Sequence, residues 1–449
     1  MSLQPCPPMA KSKRSNRDHA HQHQSPGLDN DIIAANLQAL LTPALFAQQT
    51  YYRQLGLRER ILNLSLMLAA VLTMLWRNVP SVQELTRMLA RENLLWCKAV
   101  KVSQQAVDQR FLTLPSKLFE RVFFDVLPEL QRRWQQRHNR PLAASVKFAK
   151  TQFQQVWIAD GSTLEALFRK LDSLQDKPPG TLAGKMATVV DLVTRLPVQI
   201  WFTEKASASD TCFESDLLAV LKANTLLIMD RGFYHFQFWA QLIEANVAFI
   251  CRLKAGAVYT VEQVFTDLPT VKDQRIQLGV KRKNAPQVQV RLGQVRFGTT
   301  WYSYLTSVLD PQQLPPFVVA DLYRRRWRIE EAFSTVKRLL GLSYLWTGSI
   351  NGIKLQLWAT WLFYAVLVDL GDAVADEVGV PFEQISLEML YRGLYHFSVA
   401  ANQGKASNLV AYFAAPENQD LRVIKIRKPD VPLDLSPFPR SRLTFASSS

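Results

Sequence analysis

Two short apolar runs, residues 156–160 (VWIAD) and residues 225–230 (TLLIMD), decide the fold class of this 449-residue chain. Both are too short for a typical helix, and both end in an aspartate, Asp160 or Asp230, with a glycine close behind. The pattern predicts two buried strands that end at the edge of a sheet. A carboxylate there is held rigidly, and the glycine would admit a close substrate backbone. Taken singly, either aspartate is more often a turn former or a helix cap, and the occurrence of a pair weakens that interpretation.

Further runs on either side of these two extend the strand pattern. Segments such as GKMATVVDLVT, VQIWFTE and VAFICRL are similarly rich in β-branched and aromatic residues, whereas residues 214–222 and 235–245 have helical periodicity. A mixed α/β region is therefore predicted for residues 150–253. Residues 254–312 differ, because RIQLGV, VQVRLGQVRF and WYSYLTSV alternate as antiparallel strands do. We interpret residues 254–312 as a β insertion.

The N-terminal part of the chain lacks this strand pattern. Residues 1–30 are polar and charged, and are predicted to form a disordered tail, in which His19, His21 and His23 are more often polar filler than metal ligands. Residues 31–145 contain long apolar stretches with helical spacing. They are predicted to form an all-helical domain.

Two helices inside residues 31–145 are candidates for DNA contact. Ser81 and Ser103 stand where helix N-caps would stand, and the connection between the two helices is basic. The pair resembles a helix-turn-helix, in which the second helix faces the DNA. An ordinary helical hairpin with a polar outer face explains the pattern equally well. The second helix would offer the side chains of Gln104, Gln105, Gln109 and Arg110.

The composition favours a nucleic-acid partner. The 53 Lys and Arg residues exceed the 38 Asp and Glu residues and give a formal charge of +15, which suits a protein that neutralises phosphates, although a basic surface serving solubility would give the same excess. The four cysteines form no CxxC pair and support neither a zinc site nor a disulfide framework, and the N-terminus has no secretory signal pattern. The apolar runs 61–76 and 355–368 are shorter than the roughly 18 to 20 residues of a membrane span, so buried helices are expected.

Residues 322–340 (LYRRRWRIEEAFSTVKRLL) carry the strongest chemical signal. On an ideal helix four of their side chains share one stripe about 60° wide, beside an apolar stripe that would face the core. A solvated charged face would explain any one of the four, but the joint spacing is rarer by chance. A carboxylate flanked by cations suits a metal ligand among phosphate-binding groups. The four residues are Tyr323, Arg326, Glu330 and Lys337.

These motifs together resemble a known family. The Tyr-x2-Arg-x3-Glu-x6-Lys spacing, with Asp160 in IADGS and Asp230 in MDRGFY, is similar to the cut-and-paste DDE transposases of bacterial insertion sequences, and specifically to insertion sequence family four. The resemblance covers about residues 150–345. It implies an RNase H-like core with the two aspartates on adjacent strands and Glu330 on a later helix. In that family a β domain interrupts the core before this helix, where residues 254–312 stand.

The expected fold class is thus α/β: an RNase H-like catalytic core with a β-strand insertion, preceded by an all-α N-terminal domain and followed by C-terminal helices. The expected boundaries are a tail at 1–30, a helical DNA-binding domain at 31–145, the two parts of the core at 150–253 and 313–345, the insertion at 254–312, and C-terminal helices and tail at 346–449.

The resemblance also implies the chemistry. Asp160, Asp230 and Glu330 would be the catalytic residues and would bind two Mg²⁺ or Mn²⁺ ions. Around them, Tyr323, Arg326 and Lys337 would contact phosphates, and Trp327 would contact a displaced base of the transposon end. The implied partners are double-stranded DNA, from inverted-repeat ends and from the target, and a second copy of the chain in a homodimeric DNA complex. The implied location is the bacterial cytoplasm, at the nucleoid, with no membrane association.

Two other functions share these residues. One is an RNase H-like, metal-dependent nuclease without strand transfer, and the other is a DNA-binding protein derived from a transposase, which would be expected to lose a catalytic carboxylate.

Two further acids are candidates for a role near the triad. Glu331 lies off the stripe and is assigned to the helix surface, whereas Asp191 could support the site or could be a strand-edge charge.

Overall fold

The computed structural model describes residues 27–58, 60–165, 182–280, 285–342, 344–423 and residue 435. In these residues the chain forms one nine-stranded mixed sheet together with helices that precede, interrupt and follow it. The strands are β1 (Gln155–Glu165), β2 (Leu182–Asp191), β3 (Pro197–Thr203), β4 (Thr225–Met229), β5 (Ala248–Arg252), β6 (Tyr259–Asp267), β7 (Val271–Leu278), β8 (Val288–Phe297) and β9 (Thr300–Thr306).

The α-helices of the described residues fall into three groups. The first group precedes the sheet and comprises α1 (Asp31–Ala47), α2 (Gln49–Gln54), α3 (Leu64–Trp76), α4 (Val82–Leu89), α5 (Gln104–Thr113), α6 (Lys117–Gln135) and α7 (Ala144–Gln152). The second group lies between strands and comprises α8 (Glu214–Val220) and α9 (Phe236–Glu244). The third group follows the sheet and comprises α10 (Pro316–Arg325), α11 (Trp327–Ser334), α12 (Ile350–Val378), α13 (Leu387–Asn402) and α14 (Leu409–Ala414).

The strand order is β3-β2-β1-β4-β5-β9-β8-β7-β6. The central strands β1, β4 and β5 run parallel, whereas β2 and β3 on one side and β6 to β9 on the other are antiparallel to their neighbours. All residues of β4 are buried, which explains its unbroken apolar sequence, because a central parallel strand is covered on both faces. The residues predicted as a β insertion form β6 to β9, and β9 pairs with β5, so that they extend the central sheet.

The N-terminal helices confirm the predicted caps. The Ser81 side chain accepts a hydrogen bond from Glu84 N at 3.1 Å and begins α4, and that of Ser103 accepts one from Ala106 N at 3.2 Å and begins α5. The connection between α4 and α5 runs from residue 90 to residue 103. This is much longer than the roughly three to four residues of a helix-turn-helix. The two helices therefore depart from that motif, since an irregular segment with one isolated bridge, between Leu94 and Cys97, separates them.

The two apolar runs form core helices. In α3 all residues but Ser65 are buried. Helix α12 is long and apolar enough to cross a membrane, but 83% of its most apolar window is buried inside the protein. Its burial against α6, α3 and α5 accounts for its apolar composition.

The helix predicted over residues 322–340 is interrupted twice. Helix α10 ends at Arg325, and the turn at Arg326 is tightened, because Arg326 N donates to Tyr323 O and Ile329 N donates to Arg326 O, each at 3.0 Å. After α11 the chain widens into a π-helical turn, Thr335–Leu339. The assumption of a constant 100° per residue is therefore wrong at both places.

The two termini extend beyond the described residues. Residues 1–26, which include the three histidines of the tail, and residues 424–434 and 436–449 lie outside them. The described end of the predicted tail is ordered: the Asn30 side chain caps α1, and Gly27 exchanges two hydrogen bonds with Arg77, from Gly27 N to Arg77 O at 2.7 Å and from Arg77 Nε to Gly27 O at 2.6 Å. Residues 27–30 therefore contact the end of α3 and lead directly into α1.

Candidate active site

The two aspartates that end the apolar runs occupy equivalent positions on neighbouring strands. The parallel register of β1 and β4 pairs Ala159 with Met229, so that Asp160, the next residue of β1, lies beside Asp230, which directly follows β4. Asp160 is 9% exposed, because β1 continues past it and pairs it with Thr188 of β2. The Asp230 side chain is 39% exposed, because β4 ends at Met229. The sheet therefore fixes both carboxylates at one edge of its parallel centre.

Helices α10 and α11 bring Arg326 and Glu330 to the same place. The Arg326 guanidinium lies between three carboxylates: Nη1 is 2.5 Å from Asp160 Oδ2, and Nη2 is 3.1 Å from Glu330 Oε1 and 3.7 Å from Asp230 Oδ1. Tyr323 Oη donates to Asp230 Oδ1 at 3.3 Å. We call Asp160, Asp230, Glu330 and Arg326 the acidic cluster.

The electrostatics of this cluster follow from burial and from like charge. Burial raises the pKa of Asp160 to about 7; the guanidinium of Arg326 opposes this shift, and the nearby carboxylate of Asp230 adds to it. For Arg326, burial lowers the pKa, but Asp160, Asp230, Tyr323 and Glu330 together outweigh burial and hold the pKa above its usual value. Three carboxylates thus share one guanidinium, and the cluster is short of positive charge.

The cluster suits a divalent metal ion by its donor set. Carboxylate oxygens are the ligands that Mg²⁺ and Mn²⁺ prefer, and these three already converge on a single cationic group. In the part of the chain that the structure describes, no three His, Cys, Asp or Glu side chains form a ready-made metal cage. Arg326 lies among the three carboxylates and forms an ion pair with each of them.

Two other predicted site residues lie beside this cluster. Lys337, in the π-helical turn, donates from Nζ to Ser162 Oγ and to Thr163 O, each at 3.1 Å, and so faces β1 just beyond Asp160. Trp327 is 60% exposed, and its ring centroid is 5.7 Å from Arg326 Cζ. The structure therefore brings Tyr323, Arg326, Glu330 and Lys337 to one edge of the sheet although the helix is irregular.

The predicted DNA-contacting residues of α5 lie elsewhere. Gln104 and Gln105 are exposed at the start of the helix. Arg110 faces the protein, since its Nε donates to Leu62 O at 2.8 Å and its Nη2 to Tyr52 Oη at 2.7 Å. These contacts assign Arg110 at least a structural role, and DNA contact by the two glutamines stays a prediction.

The two acids left open by the sequence have local partners. Asp191 ends β2, and its Oδ1 accepts from Val193 N at 2.9 Å and from Thr194 N at 2.7 Å, so it forms the turn that leads to β3. Glu331 pairs with Arg328 at 2.7 Å with its side chain 52% exposed, which confirms its place on the helix surface.

One acid beside the cluster was missed by the sequence analysis. The carboxylate of Asp210 lies against Gly161 and Gly232, which follow Asp160 and Asp230 along the chain. The expectation that these glycines leave room for substrate backbone is therefore wrong, because a side chain of the protein itself fills that room. A lone aspartate in the loop sequence ASASDTCF has no periodicity that would mark it.

The region of the chain that carries this site is similar to known proteins. Residues 151–366, which include the whole acidic cluster, match a family model described as the transposase DDE domain. A transposase-named protein of Sinorhizobium fredii is 25% identical over 204 residues, which are 42% of this chain and 54% of that protein. A protein of Geobacillus stearothermophilus, named for transposition of an insertion sequence element, is 24% identical over 169 residues, 36% of this chain and 44% of that protein. The matched regions thus span about half the length of these relatives.

Among solved structures, the chain aligns with a cryo-EM structure of the piggyBac transposase synaptic complex with hairpin DNA. That alignment covers 94% of this chain and 81% of the other, with 10% identity and a TM-score of 0.35, which is too low to carry an argument. The family match and the two curated relatives support a DDE-type transposase of bacterial insertion sequences.

Proposed function

We propose that this chain cleaves DNA at the inverted-repeat ends of an insertion sequence and joins those ends to target DNA. The observation that carries the proposal is the convergence of Asp160, Asp230 and Glu330, from β1, β4 and α11, on the single guanidinium of Arg326. Such an excess of carboxylates is costly in a folded protein unless cations are bound.

The two aspartates on adjacent strands and the glutamate on a later helix also agree with an RNase H-like core and with insertion sequence family four. In this proposal Asp160, Asp230 and Glu330 hold two Mg²⁺ or Mn²⁺ ions. When bound, such ions activate a water or a 3′-hydroxyl and stabilise the leaving oxygen.

The chain's own residues would position the DNA. The β1 and β4 strands fix the two aspartates, so the reacting phosphate would be held against the edge of the sheet. Arg326 would exchange its carboxylate partners for a phosphate, and Lys337 would bind the next phosphate from its place beside Ser162. Exposed Trp327, next to Arg326, would stack on a displaced base.

DNA is the proposed partner, in the bacterial cytoplasm. Two inverted-repeat ends must be brought together, so a homodimer is proposed for the DNA complex. The helices α1 to α7, with the exposed Gln104 and Gln105, are proposed as the region that recognises the ends.

The test uses the DNA that flanks the gene. Short inverted repeats bracketed by direct duplications would define the end, which is then labelled and incubated with the protein in Mg²⁺ or in chelator, with and without a target plasmid. We expect metal-dependent cleavage at the repeat and covalent joining to the plasmid. Cleavage without joining would support the nuclease alternative, and binding without cleavage would support the DNA-binding alternative.

A further inference from the structure

The glycines behind the two aspartates of the acidic cluster share one neighbour. A Cβ built on Gly161 would collide with Asp210 Oδ1, and a Cβ built on Gly232 would collide with Asp210 Oδ2. Real Cβ atoms are not found so close to another heavy atom. The two oxygens of one carboxylate therefore fill the space above both glycines, one oxygen to each.

Asp210 is itself anchored to the sheet. It begins a 3₁₀ turn, Asp210–Phe213, in a segment that packs against the 3₁₀ turn Arg231–Phe233 directly after Asp230. Lys185 of β2 holds this segment in two ways, since its Nζ is 2.7 Å from Asp210 Oδ1 and donates to Ala208 O at 2.7 Å. Since Lys185 pairs with Thr163 of β1, this anchor sits on β2, the strand directly beside the one that carries Asp160.

We propose that Asp210 is a positioning residue, whose carboxylate wedges between Gly161 and Gly232 and thereby fixes the spacing of the Asp160 and Asp230 carboxylates. The inference rests on the proposed function, because it assigns the wedge a role only if those carboxylates hold metal ions. The mechanism is steric and electrostatic. Gly161 and Gly232 each face one oxygen of the Asp210 carboxylate, and the ion pair with Lys185 holds that carboxylate in place.

The positioning role of Asp210 can be measured through the affinity of the site for metal ions. Mg²⁺ requires nearly ideal octahedral geometry, and residues that orient metal ligands contribute about 10- to 100-fold to metal affinity. Asp210→Ala removes the wedge and the ion pair, whereas Asp210→Asn keeps the shape of the wedge and loses the charge that Lys185 holds. We expect Asp210→Ala to weaken Mn²⁺ binding by about 10- to 100-fold and Asp210→Asn to weaken it by less.

The experiment measures Mn²⁺ binding to the DNA-free protein from the electron paramagnetic resonance signal of the free ion. Asp216→Ala, an exposed carboxylate in α8, is the matched control and should bind as wild type does. Melting curves accompany each variant, and cleavage of the labelled end is compared in Mg²⁺ and in Mn²⁺. Asp210→Ala should lose more activity in Mg²⁺ than in Mn²⁺.

Two results would overturn the proposal. One is Mn²⁺ affinity in Asp210→Ala and Asp210→Asn equal to that of wild type. The other is an equal loss of cleavage in both metals together with a lowered melting temperature, which would make Asp210 merely structural. Asp160→Asn separates this failure from that of the proposed function: if wild type binds no Mn²⁺, or Asp160→Asn binds it as well as wild type, the metal site itself is wrong.

Discussion

Two clusters of acids and arginines in this protein have opposite charge balance. In the acidic cluster Asp160, Asp230 and Glu330 share the one guanidinium of Arg326. Between the C-terminal end of α6 and helix α12, three arginines alternate with three aspartates, and we call this set the arginine ladder. Its residues are Arg133, Arg137, Arg140, Asp369, Asp372 and Asp376.

The charged side chains of the arginine ladder form ion pairs with one another. Arg137 bridges Asp369 at 2.8 Å and Asp372 at 3.0 Å, and Arg140 pairs with Asp372 and lies 3.5 Å from Asp376. The aspartates repeat every three or four residues along α12, so they form one face of that helix. Balanced ion pairs of this kind hold two helices together, whereas an imbalance of carboxylates costs stability and leaves a demand for cations. The two clusters therefore differ in charge balance: the arginine ladder pairs three arginines with three aspartates, whereas the acidic cluster has three carboxylates and one guanidinium.

The largest expected effect comes from the acidic cluster. Asp160→Asn, Asp230→Asn and Glu330→Gln should each lower end cleavage by at least about a thousandfold, because each removes a metal ligand while keeping its shape. The measurement is a time course on the labelled end in Mg²⁺, with DNA binding checked by mobility shift. Cleavage near the wild-type rate in any one variant would remove that residue from the proposed site.

Asp160→Asn also tests the excess of carboxylates in the acidic cluster, through the stability of the metal-free protein. The folded pKa of Asp160, about 7, lies above its ordinary value of 3.8, so the ionised carboxylate opposes folding, and this cost grows as the pH rises from 3.8 to about 7. Asp160→Asn should therefore raise the melting temperature of the metal-free protein, and more at about pH 8 than at about pH 5. A lowered melting temperature at both values would mean that the cluster is balanced after all.

The next effect comes from the ladder. The side chains of Arg140 and Asp372 are 4% and 5% exposed, and removing one partner of a buried pair costs about 3 kcal/mol. Arg140→Ala should therefore lower the free energy of unfolding by about that amount without weakening Mn²⁺ binding. Arg132→Ala is the control, because its side chain is 56% exposed and solvent screens its pair with Glu129. Equal losses in the two variants would contradict the structural role of the ladder.

The contrast also marks what the sequence could and could not reveal. The basic segment around Arg133, Arg137 and Arg140 contributes to the formal charge of +15, which favours a nucleic-acid partner. The structure directs these arginines to α12, more than two hundred positions along the chain. A charge count does not record partners, so it overstates the basic surface that is available to DNA.

Local sequence patterns predicted individual strands and helix starts, but they did not predict which distant segments pair. The runs VWIAD and TLLIMD, with the caps Ser81 and Ser103, predicted strands and helix starts that the structure confirms, because each depends on neighbouring residues. The pairing of β9 with β5 depends on hydrogen bonds between segments far apart in sequence. The tightened turn at Arg326 accompanies tertiary contacts with Asp160 and Asp230 that no helical period contains.

A smaller effect is expected at the edge of the acidic cluster. Trp327 is 60% exposed, so Trp327→Ala should leave the melting temperature unchanged. Loss of base stacking of about 1 to 3 kcal/mol should slow the step that distorts the DNA end by about 5- to 150-fold. A time course that resolves nicked, hairpin and released DNA should show accumulation of the nicked species. A lowered melting temperature with every step equally slowed would instead show that Trp327 packs against the protein.

The smallest expected effect concerns single positive charges, and it compares the two clusters directly. Lys337→Ala removes a cation that faces β1 beside the acidic cluster, and Arg133→Ala removes one that is 34% exposed in the ladder. Both variants lose the same charge, so a general effect of net charge on DNA binding would be equal in the two. If Lys337 binds a phosphate, the slope of log binding constant against log salt concentration should become shallower by about 0.9 in Lys337→Ala alone. The measurement is a titration of the labelled end at several salt concentrations.

Arg133→Ala is the control for this prediction, and it should keep the wild-type slope and lower the melting temperature. An equal change of slope in both variants would place the ladder on the DNA-binding surface, and an unchanged slope in Lys337→Ala would show that Lys337 binds no phosphate.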